Sequence, residues 1–140
     1  VGSDFYREII LDYYQHPRNF GRLADADIRA NDSNPLCGDK VEIYLKLEGD
    51  RVKVARFTGQ GCAISQASAS MLMESVEGMK LEELKELSKE DILEMLGNPE
   101  LGPSRIKCAL LPLKVLKLGL YTYLAEKAGE QVVKEDRSSA

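Results

Sequence analysis

Lys40-Val41-Glu42-Ile43-Tyr44-Leu45-Lys46-Leu47-Glu48-Gly49-Asp50-Arg51-Val52-Lys53-Val54-Ala55-Arg56-Phe57 reads as a β-hairpin. Val41, Ile43, Leu45 and Leu47 alternate with Lys40, Glu42, Tyr44 and Lys46, the two-residue period of a strand with one buried face. Glu48-Gly49-Asp50 supplies the turn, and Arg51 to Phe57 returns as a second strand. The alternation of that strand slips between Val54 and Phe57, which predicts a bulge there. Weak alternation within the polar stretch from Ala24 to Pro35 predicts a short strand near Asp27–Asn31. The three strands form an antiparallel meander.

Helical periods flank this sheet. Tyr6, Ile9, Ile10 and Tyr13 recur at three- and four-residue steps, predicting a helix capped by Asp4 and running to about Gln15, with Pro17 as its stop. His16 closes that helix, a structural role, and opens a turn through Pro17-Arg18-Asn19-Phe20-Gly21. After Cys62 the period becomes helical again from Ala63 to Glu77, with Gly78 as its end. Ala67-Ser68-Ala69-Ser70 is small enough to let that helix approach the sheet, and Met71-Leu72-Met73 reads as core. A short helix covers Leu81–Leu87, and Ser88 with Asp91 makes a capping box for another over Lys89–Leu96. Asn98 to Ser104 is a loop. The last helix is predicted from Ala109 to Lys127, with Pro112 in its first turn, where N–H groups have no helical partner.

The chain has 140 residues, enough for one domain over 1–140, with 1–3 and 130–140 expected to be flexible. A net charge of −4 argues against binding nucleic acid or an anionic membrane surface. No window approaches the roughly 18 uninterrupted apolar residues of a membrane span. The start, Val1-Gly2-Ser3-Asp4, does not read as a signal peptide, so a cytoplasmic, reducing setting with free thiols is expected.

The three cysteines carry the chemistry. Cys37 opens Cys37-Gly38-Asp39, Cys62 ends Phe57-Thr58-Gly59-Gln60-Gly61-Cys62, and Cys108 follows Arg105-Ile106-Lys107. Three soft thiolates and the Asp39 carboxylate make a four-ligand set for zinc, iron or a small iron–sulfur cluster. The competing reading is three buried, inert cysteines. Hairpin topology favours convergence, because Gly49 lies 12 residues from Cys37 and 13 from Cys62, which puts both at one sheet edge. Cys62 and Cys108 are each expected at a helix N-terminus, where amides and dipole favour thiolate. An oxygen ligand is harder and more weakly held on a [2Fe–2S] unit than sulfur, so such a site suits temporary custody. Asp39 has a second reading as an Asx turn after Gly38. Arg105 and Lys107 read either as stabilisers of thiolate or persulfide charge or as ordinary solvated cations.

At these residues the chain resembles the iron–sulfur cluster assembly scaffold family, the IscU/SufU/NifU-type proteins. The matches run from Tyr6-Arg7-Glu8-Ile9-Ile10-Leu11-Asp12 and His16-Pro17-Arg18-Asn19 through Asn34-Pro35-Leu36-Cys37-Gly38-Asp39. They continue with Phe57 to Ser70 and end at Arg105-Ile106-Lys107-Cys108-Ala109, in colinear order over nearly the whole chain. The resemblance implies an α+β fold, a three-stranded antiparallel sheet packed by helices with the metal site at one exposed end. It implies Cys37, Asp39, Cys62 and Cys108 as metal and cluster ligands. It also implies sulfur delivery by a cysteine desulfurase, a transient [2Fe–2S] cluster built from iron and sulfide, and transfer to apo iron–sulfur proteins.

Lys107 stands where the IscU branch has histidine, which favours Asp39 as fourth ligand and makes the last cysteine SufU-like. The insertion usual in SufU between the second and third cysteines is missing. Leu101-Gly102-Pro103-Ser104-Arg105 replaces the chaperone-binding Leu-Pro-Pro-Val-Lys of IscU, so that docking does not carry over. The expected function is a cluster scaffold, with Cys108 as lead persulfide acceptor beside Cys37 and Cys62, and Zn2+ as resting occupant. The alternative is a zinc-dependent sulfurtransferase that accepts persulfide and activates its desulfurase. A monomer or weak homo-oligomer is expected.

Overall fold

The computed structural model describes residues 2–35 and 38–139, and side chains at 7–35 and 38–130. Its sheet is an antiparallel meander of β1 (Ile28–Asn34), β2 (Asp39–Glu48) and β3 (Arg51–Gln60), in that spatial order. Ile43 lies opposite Ala30 on one side and Phe57 on the other. Val41, Ile43, Leu45, Ala55 and Phe57 are buried on the face that meets the helices, as the alternation requires.

Three details of the sheet differ from the sequence reading, the first being that β3 runs on to Gln60, three residues past Phe57. β1 extends past Asn31 because Asp32, Ser33 and Asn34 pair through backbone with Val41, Lys40 and Asp39. Ladder hydrogen bonds need no apolar side chains, so the hydropathy pattern understated the strand. The bulge lies at Lys53, since Lys46 pairs with Val54 and Leu47 with Val52. The inward residues are therefore Val52, Ala55 and Phe57, and the slip falls ahead of the predicted Val54–Phe57 interval.

Among the described residues the helices are α1 (Gly2–Gln15), α2 (Ala63–Val76), α3 (Leu81–Glu86), α4 (Lys89–Met95) and α5 (Pro103–Ser139). α1 starts at Gly2, so Asp4 lies inside it and is not its cap. Ser88 and Asp91 form the predicted capping box of α4. α2 and α5 pack on the buried sheet face, and α1 packs on α2. Leu72, Met73, Leu116 and Leu120 are fully buried between these layers. Gly119 allows the close approach of α5 to β1: a Cβ there would lie 2.9 Å from Ile28 Cγ2 and 3.1 Å from Ala30 Cβ.

α5 departs most from expectation. It begins at Pro103, a residue suited to the first helical position, and not at Ala109. The apolar run starts only near Cys108, while Ser104, Arg105 and Lys107 in the opening turns face solvent, so periodicity missed them. Pro112 consequently sits in the helix interior. The stretch Pro103–Glu130 is long and apolar enough to cross a membrane by length and composition, and half of the window that meets this test is buried in the protein.

The turn after α1 is fastened to the outer edge of β3. Phe57 N–H donates to the Asn19 carbonyl at 3.0 Å, and Gly21 N–H donates to the Phe57 carbonyl at 2.8 Å. Asn19 Nδ2 donates to the Ala55 carbonyl at 2.9 Å. Ser70 Oγ of α2 accepts from Arg18 N–H at 2.6 Å and donates to the Arg18 carbonyl at 3.0 Å. This strap covers the edge strand that leads to Cys62.

Candidate metal centre

Asp39 begins β2 with the same parity as Val41, Ile43 and Leu45, so its side chain points to the helix side of the sheet. It is fully buried, at 0% exposure. A buried carboxylate needs partners, and the next chain segment supplies one. Lys40 pairs with Gln60, so Asp39 lies beside Gly61 and Cys62 where β3 ends. Cys62 N–H donates to Asp39 Oδ1 at 2.8 Å. Asp39 Oδ2 stands 3.9 Å from Cys62 Sγ.

This approach requires glycine at 61. Gly61 has φ +144°, and a Cβ would lie 2.9 Å from Asp39 Cα and closer still to its carboxylate. Any side chain would push Asp39 out of the cluster. Cys62 is the N-cap of α2, as expected, and its Sγ accepts from Ser65 N–H at 3.5 Å.

Cys108 arrives from α5. Its sulfur, the Cys62 sulfur and an Asp39 oxygen all lie within 4.8 Å of one another. The predicted N-terminal position of Cys108 is corrected, because α5 has completed its first turn before reaching it. The thiol is 1% exposed, whereas Cys62 is half-buried. Cys37 lies outside the described residues, while Asn34 and Asp39, the ends of the strands flanking it, pair with each other at this end of the sheet. Arg105 is exposed and lines a groove of about 920 Å³ with Arg7, Ile10, Leu11 and Ile64. Lys107 is exposed beside Lys114 and Leu110, along a second groove of about 410 Å³. His16 is exposed, and its N–H donates to the Asp12 carbonyl at 2.8 Å, which ends α1.

The donor set fits a metal. A tetrahedral zinc with Zn–S near 2.3 Å and Zn–O near 2.0 Å has ligand–ligand edges of roughly 3.5–3.8 Å. Asp39 Oδ2 and Cys62 Sγ, 3.9 Å apart, stand slightly wider than such an edge, so an ion between them would draw the two side chains together. Two sulfurs and one oxygen suit zinc, iron or a cluster, and leave room in a four-ligand shell for one more donor.

Fold and site together define a small α+β protein that gathers cysteine sulfurs and a carboxylate at one end of a three-stranded sheet. The chain belongs to the NifU-like N terminal domain family, whose sequence pattern matches residues 5–130. It is 39% identical to the zinc-dependent sulfurtransferase SufU of Bacillus subtilis (strain 168), over 82% of this chain and 88% of that protein. It is 31% identical to the iron–sulfur cluster assembly scaffold protein IscU 1 of Archaeoglobus fulgidus, over 93% of this chain and 84% of that one. Its fold is similar to the crystal structure of a candidate iron–sulfur cluster assembly scaffold for the SUF system from thermophilic Fervidobacterium islandicum AW-1. That match has a TM-score of 0.69 and 30% identity, and covers 81% of this chain and 94% of the other.

Proposed function

We propose that this chain is an iron–sulfur cluster assembly scaffold of the cytoplasm. It accepts sulfur from a cysteine desulfurase, collects iron, holds the product as a labile [2Fe–2S] cluster and surrenders it to apo-proteins. The observation that carries this reading is the meeting of Asp39, Cys62 and Cys108 within 4.8 Å at one end of the sheet. Cys37 completes the ligand set, and Arg105 and Lys107 lend positive charge around it.

Sulfur enters by exchange. A cysteine thiolate of the scaffold attacks the outer sulfur of the desulfurase persulfide, a new S–S bond forms, and the desulfurase cysteine leaves as thiolate. The exchange itself consumes no electrons; turning each transferred sulfane sulfur into the sulfide of a cluster takes two, which an external electron-donor protein must supply. Cys108 is the candidate final acceptor, with Cys37 and Cys62 beside it. Its burial means that exchange at Cys108 follows a local opening of the structure around it. Asp39 is the ligand that lets go most readily, because its oxygen is the hardest donor of the set. Between rounds the same four residues would hold zinc, which keeps the thiols deprotonated.

A second reading, a zinc-dependent sulfurtransferase that activates its desulfurase, is favoured by the 39% identity to a relative bearing that name. Anaerobic reconstitution with iron and sulfide separates the two. A visible charge-transfer spectrum and delivery to an apo-ferredoxin support the scaffold. Tight zinc without a cluster, but with faster desulfurase turnover, supports the sulfurtransferase. Zinc binding without sulfur acceptance would overturn both. Asp39→Ala is expected to give a longer-lived cluster and slower delivery, followed by the decay of the visible band. An unchanged lifetime would remove Asp39 as the labile ligand.

A further inference from the structure

The Cys62 and Cys108 sulfurs come from two different helices, so their separation depends on how α2 and α5 are held together. One buried polar bond lies at that place. Ser68 is 2% exposed, and its Oγ donates to the carbonyl of Ala109 at 2.7 Å. Ala109 follows Cys108 directly, and Ser68 lies on the helix that Cys62 caps.

A serine hydroxyl inside a helix commonly bonds a carbonyl of its own helix one turn back. Ser75 does so on the same helix, donating to the Met71 carbonyl at 2.9 Å. Ser68 reaches across to α5 instead. On the α5 side, Pro112 brings no N–H to the carbonyl of position 108, and its ring crowds that turn. Proline thus disturbs the turn of α5 that follows Cys108, and Ser68 of α2 bonds the next carbonyl, that of Ala109.

We propose that Ser68 is a positioning residue of the metal centre: its bond to Ala109 sets α5 against α2 and thereby holds the Cys108 sulfur at ligand distance from Cys62 and Asp39. This rests on the reading of that cluster as a metal site. The tolerances are unequal. Metal–ligand distances are fixed to about 0.2 Å, whereas packed helices move against one another by shifts on the order of 1 Å. Loss of the bond therefore acts on metal affinity beyond its effect on folding.

Cobalt(II) titration of the metal-free protein tests this, read by the thiolate-to-cobalt charge-transfer absorption. Ser68→Ala removes only the hydroxyl and raises helix propensity, so the fold is retained, as circular dichroism would verify. Ser70→Ala is the control: Ser70 is equally buried on α2, but its two bonds go to Arg18, away from Cys108. Ser68→Ala is expected to bind cobalt about tenfold more weakly, with an altered charge-transfer band, at the low end of the effect of losing an outer support of a metal site. Ser70→Ala is expected to lose thermal stability yet bind cobalt as the parent does. Parent-like binding by Ser68→Ala, or equal weakening in Ser70→Ala, would overturn the positioning role. Absence of thiolate–cobalt absorption in the parent would instead remove the metal centre itself.

Discussion

The Asp39 carboxylate shows how much one residue can ask of its neighbours. Strand parity turns it inward, the Cys62 amide accommodates one oxygen, and the other oxygen faces the Cys62 sulfur. Gly61 makes this possible by offering no Cβ. Gly61→Ala is expected to displace the carboxylate and weaken zinc binding at least about tenfold, as measured by competition with a chromophoric chelator. The two described cysteines differ in access. In the metal-free protein, iodoacetamide should alkylate half-buried Cys62 before buried Cys108, a difference that peptide mass spectrometry over time resolves. Asp39 was recognised from the company it keeps in sequence, but its burial was also legible. Extending the Val41-Ile43-Leu45 alternation back by one step puts it on the core face. The role of Gly61 was not legible, because a glycine before a cysteine does not announce which side chain needs the space.

At the scale of elements, β1 and α5 are linked by Asp32 and Lys114, 3.0 Å apart. The Lys114 ammonium, and then the Ser33 amide, hold the Asp32 carboxyl below its ordinary pKa. Such a group contributes stability that is fully present above the unfolded carboxylate value, near pH 3.9, and is lost as pH falls through the lower folded value. Lys114→Met should therefore raise the Asp32 pKa in an NMR titration and destabilise the protein slightly at pH 7. The destabilisation should vanish at a pH acid enough to protonate Asp32 in both folded and unfolded chains. The effect is small because Lys114 is largely exposed. α2, α3 and α4 were legible within a residue or two, because their caps and apolar periods agree. α5 was not. Its first turns are polar on the outside, and Pro103, which starts it, also belongs naturally in a loop.

For the whole molecule, the sheet, the strap and α2 meet around Phe57. It is fully buried, and its ring stands edge-on to Phe20 at 5.3 Å. Phe57→Ala should cost about 3–5 kcal/mol, seen as a lower urea midpoint with an unchanged slope. If the cluster at the sheet end holds zinc, stability and metal are linked. Free zinc at a hundredfold excess over its dissociation constant should add about 2.7 kcal/mol, and a chelator should lower the melting temperature accordingly. A melting temperature indifferent to both would count against a metal bound by the folded state.

Alternation, capping and motif order are local properties of the chain, and they suffice for the hairpin, the helix that Cys62 caps and the family. The start of α5 at Pro103, the arrival of Cys108 from inside that helix and the strapping of the β3 edge by residues after α1 emerge only on packing. Those outcomes depend on contacts between residues far apart in the chain, such as Ser68 with Ala109 and Asn19 with Ala55. Such contacts leave no period in the sequence, since each is a meeting of surfaces that exist only once the layers have packed.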